Sequence, residues 1–182
     1  IDNNIKITLD VNLQKYIQEI FTGKSGAVIV MDAKNGEILS AASFPEFDNN
    51  IFARGISVKE WNEMRNDFNH PFTNKIINGL YPPGSVIKMG VALAFLENGI
   101  KDNFNVNCTG SITIGNRNFR CWKSSGHGNV GFRKAISESC DDFFYKGSLK
   151  IGINKISNTL DKLGFGQQSG VDQINEFFGV NP

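Results

Sequence analysis

Cysteine is scarce in this chain, with three residues among 182. So few, and an odd number, exclude a scaffold in which every thiol is paired internally. Proline is sparse too, at five residues, and no Pro/Gly/Ser-rich tract marks a linker. No apolar run approaches the ~20 residues that a membrane-spanning helix needs. No basic stretch with an apolar core opens the chain as a secretory signal would. It starts at Ile1-Asp2-Asn3-Asn4 and not at Met, so an anchor can precede it. An excess of either charge is also lacking: 19 Lys and Arg stand against 18 Asp and Glu, for a formal net charge of +1. A general nucleic-acid binder needs surplus cations to meet phosphate, so nucleic acid is not an expected partner. What is present, 40% hydrophobic and 20% charged residues without repeats, suits a folded domain or part of a larger one.

The patterning predicts mixed α/β structure. Asp10 is a candidate N-cap, and Leu13, Tyr16, Ile17, Ile20 and Phe21 share one helical face up to Gly23. Gly26 to Asp32 reads as an apolar strand, Asn35-Gly36 as a turn, and Glu37 to Ser43 as the returning strand. A helix laid on an antiparallel hairpin is the simplest assembly. Pro45 to Tyr81 is long, polar and aromatic, with a short helix expected over Ser57 to Arg65. Phe44, Phe47, Phe52, Phe68 and Phe72 read as core and loop anchors, and His70 as a structural or exposed loop residue. After the break at Tyr81-Pro-Pro-Gly84, a helix is expected from Ser85 to Glu97. A hairpin around Gly115-Asn116 is expected from Asn105 to Cys121. Helical residues follow from Phe132 to Lys150, interrupted near Ser139, and a last helix from Ile151 to Leu163.

Two short motifs carry chemistry. In Ser85-Val-Ile-Lys88, positions i and i+3 of a helix share a face, so the lysine amine is placed near the serine hydroxyl. A serine is a weak nucleophile until a base takes its proton, and a desolvated lysine can be that base. Ser85 at a helix start also has its own N–H and the helix dipole to meet a developing oxyanion. The spacing alone is equally compatible with a buried serine and a solvated lysine. The second motif, Ser139-Cys140-Asp141, falls in the break between helical stretches. There Ser139 and Asp141 can face one way and Cys140 the other.

Taken together, Tyr81-Pro-Pro-Gly-Ser-Val-Ile-Lys88, Ser139-Cys-Asp141 and Phe143-Phe-Tyr145 resemble the transpeptidase domain of class B penicillin-binding proteins, in particular their elongation branch. Ile7 to Asp10, Gly26 to Pro45, Phe52 to Ser57, Trp61, Asn74-Lys75, Gly126-His-Gly128 and Gly164-Phe-Gly166 extend the resemblance over nearly the whole chain. It implies a penicillin-binding-protein/beta-lactamase-like fold: an antiparallel sheet with helices plus a helical subdomain. It also implies a D,D-transpeptidase that cross-links peptidoglycan stem peptides in cell-wall elongation and is acylated by beta-lactams. Ser85 would be the nucleophile, Lys88 the base for acylation, Ser139 a proton relay and Asp141 the residue that holds Lys88 and Ser139. The implied place is the periplasmic face of the bacterial inner membrane, anchored by a segment outside this chain, with membrane and scaffold proteins of the elongation complex as partners.

Two departures from the family pattern matter. Asp141 stands where the wider family has Asn and brings a negative charge near the proposed base. The third family motif, Lys-Thr-Gly or Lys-Ser-Gly, is missing downstream. Lys24-Ser-Gly26 has the letters but precedes the first hairpin. Residues 1–182 therefore read as the N-terminal portion of a transpeptidase domain, weakly active or inactive alone and truncated before its C-terminal sheet strands. A beta-lactamase or D,D-carboxypeptidase of the same superfamily, and a non-catalytic zinc-stabilised interaction module, are the competing readings.

The cysteines cluster. Cys108, Cys121, His127 and Cys140 follow the order Cys-x12-Cys-x5-His-x12-Cys. Three thiolates and an imidazole suit a closed tetrahedral zinc site. Such a site would tie the hairpin to the break holding Ser139 and Asp141, as structural support and not as a catalytic metal. A Cys108–Cys121 disulfide with Cys140 free, which an oxidising envelope favours, stays open, as does neither. No cofactor is expected for catalysis.

Overall fold

Asp10 starts the first helix by accepting hydrogen bonds from the N–H groups of Asn12 and Leu13. In the computed structural model, which describes residues 4–182, this helix, α1 (Val11–Phe21), lies on an antiparallel hairpin of β1 (Gly26–Met31) and β2 (Ile38–Phe44). Residues 1–3 of the expected domain lie outside the described residues. The register pairs Gly26 with Phe44 and Ile29 with Ala41, and shifts at Val30/Met31. Ile17, Ala42 and Phe44 are buried between helix and hairpin, and Phe21 stacks on Phe44 at 4.8 Å. Gln14 bridges the two by accepting from buried Ser40 and donating to the Ala41 carbonyl. The expected helix on a hairpin is therefore present, with strand ends moved by about one residue.

Two short helices follow, α2 (Asn50–Arg54) and α3 (Val58–Asn66), the latter opened by a reciprocal Ser57–Glu60 capping box. Phe47, Phe52, Trp61 and Phe72 pack their rings together at 5.1–6.3 Å. Phe68 is a correction: it is 90% exposed and anchors nothing. His70 is exposed, with its carbonyl accepting from the buried Lys75 Nζ. These elements, residues 4–80 with 172–177, form one compact unit.

Residues 81–171 with 178–182 form the second unit. Here α4 (Lys88–Glu97) runs through the core. β3 (Asn105–Cys108), β4 (Ser111–Ile114), β5 (Arg117–Arg120) and β6 (Gly128–Gly131) precede α5 (Phe132–Ser137), α6 (Asp141–Ile151) and α7 (Ile153–Lys162). Two expectations change. Ser85 sits in a 3-10 turn, Gly84–Ile87, and the α-helix begins only at Lys88. The expected hairpin is limited to β4–β5, while β3 leaves it to pair with β6, setting Cys108 opposite Gly128. The core centres on Phe143 of α6, which is fully buried and touches the rings of Phe95, Phe104, Phe132 and Phe144 at 5.1–6.3 Å. Burial of each such ring contributes roughly 2–3 kcal/mol. Because Phe143 is two residues from Asp141, that packing fixes where α6 begins. Among the described residues no helix is long and apolar enough to cross a membrane.

Candidate active site and cysteine–histidine cluster

The 3-10 turn presents Ser85 one turn ahead of Lys88, and the Lys88 N–H closes it on the Ser85 carbonyl. The second half of the site comes from the α5–α6 break. There Ser139 has φ +51, a left-handed conformation unusual outside glycine and costing roughly 1–2 kcal/mol. Bonds from Ser139 N to Ile136 O and from Cys140 N to Ala135 O hold the break together. The hydroxyl of Ser139 then lies 2.9 Å from Ser85 Oγ and 2.9 Å from Lys88 Nζ. Lys88 Nζ also donates to the Ser139 carbonyl at 2.9 Å and to Asp141 Oδ1 at 2.5 Å. Its ammonium lies 5.6 Å from the centre of the Phe144 ring. The structure thus brings Ser85, Lys88, Ser139 and Asp141 into one hydrogen-bonded set, and the path from Ser85 to Lys88 runs through Ser139.

That geometry suits proton transfer to and from a serine oxygen. The Ser85–Ser139 bond joins two rotatable hydroxyls and can run in either direction, while the Ser139–Lys88 bond reverses only when Lys88 is the neutral amine. Lys88 and Asp141 are only slightly exposed, which keeps their attraction from being fully screened.

Sequence reading missed Trp122. Its backbone N–H donates to Asp141 Oδ2 at 3.0 Å, and its indole Nε1–H donates to the Glu138 carbonyl at 2.9 Å. A tryptophan directly after a candidate metal ligand was the only available signal.

On the far side of the same break, Cys108, Cys121, His127 and Cys140 are all buried, and their ligand atoms lie within 4.8 Å of one another. His127 Nδ1 is 3.6 Å from Cys108 Sγ and 3.4 Å from Cys121 Sγ. Zinc bonded tetrahedrally at about 2.3 Å to sulfur and 2.0 Å to nitrogen separates such atoms by about 3.5 Å. The donor set and the two His127–sulfur distances fit that metal. All three thiols are free, so the Cys108–Cys121 disulfide is not formed. Burial acts to raise the Cys121 thiol, but N–H groups of Lys123, Asp142 and Asp141 and the Cys108 thiol point at its sulfur and lower it overall. Burial, with the neighbouring Cys108 and Cys121 sulfurs, pushes Cys140 up to about 12. His127 Nε2 is buried without a hydrogen bond and lies 3.9 Å from Glu138 Oε2, the side on which a metal-bound imidazole usually finds a carboxylate. Gly126 is required here, because a Cβ on it would run into the Cys108 carbonyl and Thr109 backbone.

A profile of the penicillin binding protein transpeptidase domain matches residues 26–182. The chain belongs to this transpeptidase family. It is 37% identical over 182 residues to the peptidoglycan D,D-transpeptidase MrdA of Salmonella typhimurium, covering 98% of this chain and 29% of that protein. Among solved structures it is similar to PBP2 of Helicobacter pylori, with TM-score 0.93, 48% identity and coverage of 100% of this chain and 35% of that one. It is also similar to PBP2 in the H. pylori PBP2–MreC complex, with TM-score 0.90, 49% identity and coverage of 96% and 33%. The fold is thus that of PBP2 transpeptidases, and the chain spans under a third of the length of that curated relative.

Proposed function

We propose that these residues form the N-terminal portion of the transpeptidase domain of a peptidoglycan D,D-transpeptidase that acts in cell elongation and shape. The observation that carries this is the unbroken run of hydrogen bonds from Ser85 Oγ through Ser139 Oγ to Lys88 Nζ. With Lys88 deprotonated, the Ser85 proton passes to Ser139 Oγ and the Ser139 proton to Lys88 Nζ. Ser85 attacks the carbonyl between the terminal D-alanines of a stem peptide, and its own N–H faces the oxyanion. The ammonium formed on Lys88 has three acceptors in place: Ser139 Oγ, Ser139 O and Asp141 Oδ1. The same path returns a proton to the departing D-alanine amine, leaving an acyl-Ser85 ester for an acceptor amine of a neighbouring stem. Beta-lactams would acylate the same oxygen. Missing the third family motif, these 182 residues are weakly active or inactive alone.

Cys108, Cys121, His127 and Cys140 would hold a structural zinc ion. When bound, the metal supplies positive charge for three crowded thiolates and joins the β3 end and the loops before β6 to the start of α6. The periplasmic face of the inner membrane is the matching location. A scaffold partner of the elongation complex is supported by the similarity to a PBP2 solved together with MreC.

The test is release of D-alanine from a synthetic pentapeptide stem by the longer protein, with and without an acceptor amine. Cross-linked product that disappears in Ser85→Ala is expected. Product retained in Ser85→Ala, or none from wild type, would contradict the reading.

A further inference from the structure

Trp122 is 66% exposed, so burial does not explain its placement. Both of its N–H groups are nonetheless committed to the segment that carries Ser139 and Asp141. The main-chain N–H meets Asp141 Oδ2 at 3.0 Å, on the carboxylate whose other oxygen binds Lys88. The indole N–H meets the Glu138 carbonyl at 2.9 Å, on the peptide unit that leads into Ser139. Ser139 is the residue with left-handed backbone, and its hydroxyl stands between Ser85 and Lys88. The Trp122 and His127 rings also pack nearly perpendicular, with centroids 5.3 Å apart. A strained residue persists only when its surroundings over-determine it. Here the Glu138 carbonyl is held by Trp122 and the Ser139 carbonyl by Lys88, so both peptide planes flanking the Ser139 Cα are fixed.

We propose that Trp122 is a positioning residue. Through its indole N–H on the Glu138 carbonyl it holds the Ser139 turn so that the Ser139 hydroxyl bridges Ser85 and Lys88. The inference rests on the reading of Ser85 as an acylated nucleophile. Without the donor, the 138–139 peptide plane is held only by the 3.2 Å bond from the Ser139 N–H to the Ile136 carbonyl, the left-handed turn loosens, and the bridging hydroxyl spends less time between its partners. The effect falls on the chemical step and not on ligand binding.

The test uses the longer protein and labelled penicillin, resolving the initial binding constant from the acylation rate constant. Two changes remove the donor: Trp122→Phe, and benzothienylalanine incorporated at position 122, which keeps the indole shape and the main-chain N–H. In both, the acylation rate constant is expected to fall roughly 3- to 10-fold, the weight of one net hydrogen bond. The binding constant and melting temperature are expected to stay near the wild-type values. An unchanged rate constant in the benzothienylalanine protein overturns the proposal, and so does a loss that appears only together with a lower melting temperature. Wild-type protein that is not labelled, or labelling that survives in Ser85→Ala, overturns the acyl-enzyme reading instead. The two failures are therefore told apart.

Discussion

Lys88 has three N–H bonds to give as an ammonium, and three acceptors stand within hydrogen-bonding distance. Two of them belong to Ser139, so one residue both receives the charge and carries the proton. On the proposed mechanism, Lys88→Ala removes the base and Ser139→Ala removes the bridge. Each is expected to slow penicillin acylation of the longer protein by about 100-fold or more, the usual share of a positioned base, as stopped-flow labelling would show. A loss of less than ~10-fold in Lys88→Ala would assign the base elsewhere. A second lysine behaves differently. Lys75 is buried, with Nζ on the His70 carbonyl, and burial holds its ammonium below the ordinary lysine range against the pull of Asp67. Its folded-state pKa lies below the unfolded value, so the folded protein binds fewer protons and its stability rises as pH climbs from one value to the other. Relative to Lys75→Met, wild type should gain stability as pH rises from the lowered folded-state value to the unfolded lysine value, read from urea melts; parallel curves would contradict this.

At the scale of elements, the site depends on where α6 starts, and α6 is held by rings. Gly147 lets α6 pass close to Phe95 of α4; a Cβ there would overlap the Phe95 ring, which is fully buried and cannot swing away. Gly147→Ala is expected to cost about 1–3 kcal/mol and to lower the melting temperature measurably. An unchanged melting temperature would mean that α4 and α6 are less tightly packed than they are here. Local signals explain what was legible at this scale. The Asp10 cap, the Asn35-Gly36 turn and the helix break at Ser139 are written in neighbouring residues, and so were read from sequence. The pairing of β3 with β6 was not, because the strands lie some twenty residues apart and no local periodicity names a partner. The 3-10 turn at Ser85 escaped for a related reason: 3.0 and 3.6 residues per turn cannot be separated over four residues. Ser85, Lys88, Ser139 and Asp141 were visible as motif letters. Trp122 was not, since it acts through an indole donor and a backbone N–H that no pattern encodes.

For the whole molecule, two sites share one break in the chain. Ser139 and Asp141 face Lys88, while Cys140 between them faces the cysteine–histidine cluster. Metal removal should therefore reach the Ser85–Ser139–Lys88 set. If the longer protein is isolated with zinc, a strong chelator is expected to release one ion per chain, expose three reactive thiols and slow acylation at Ser85. Full acylation after complete metal loss would separate the two sites. The most direct measurement is peptide mapping by mass spectrometry of the longer protein after exposure to penicillin. The account predicts one adduct per chain, on the peptide carrying Ser85, and none in Ser85→Ala. An adduct on any other residue, or one that persists in Ser85→Ala, would contradict it.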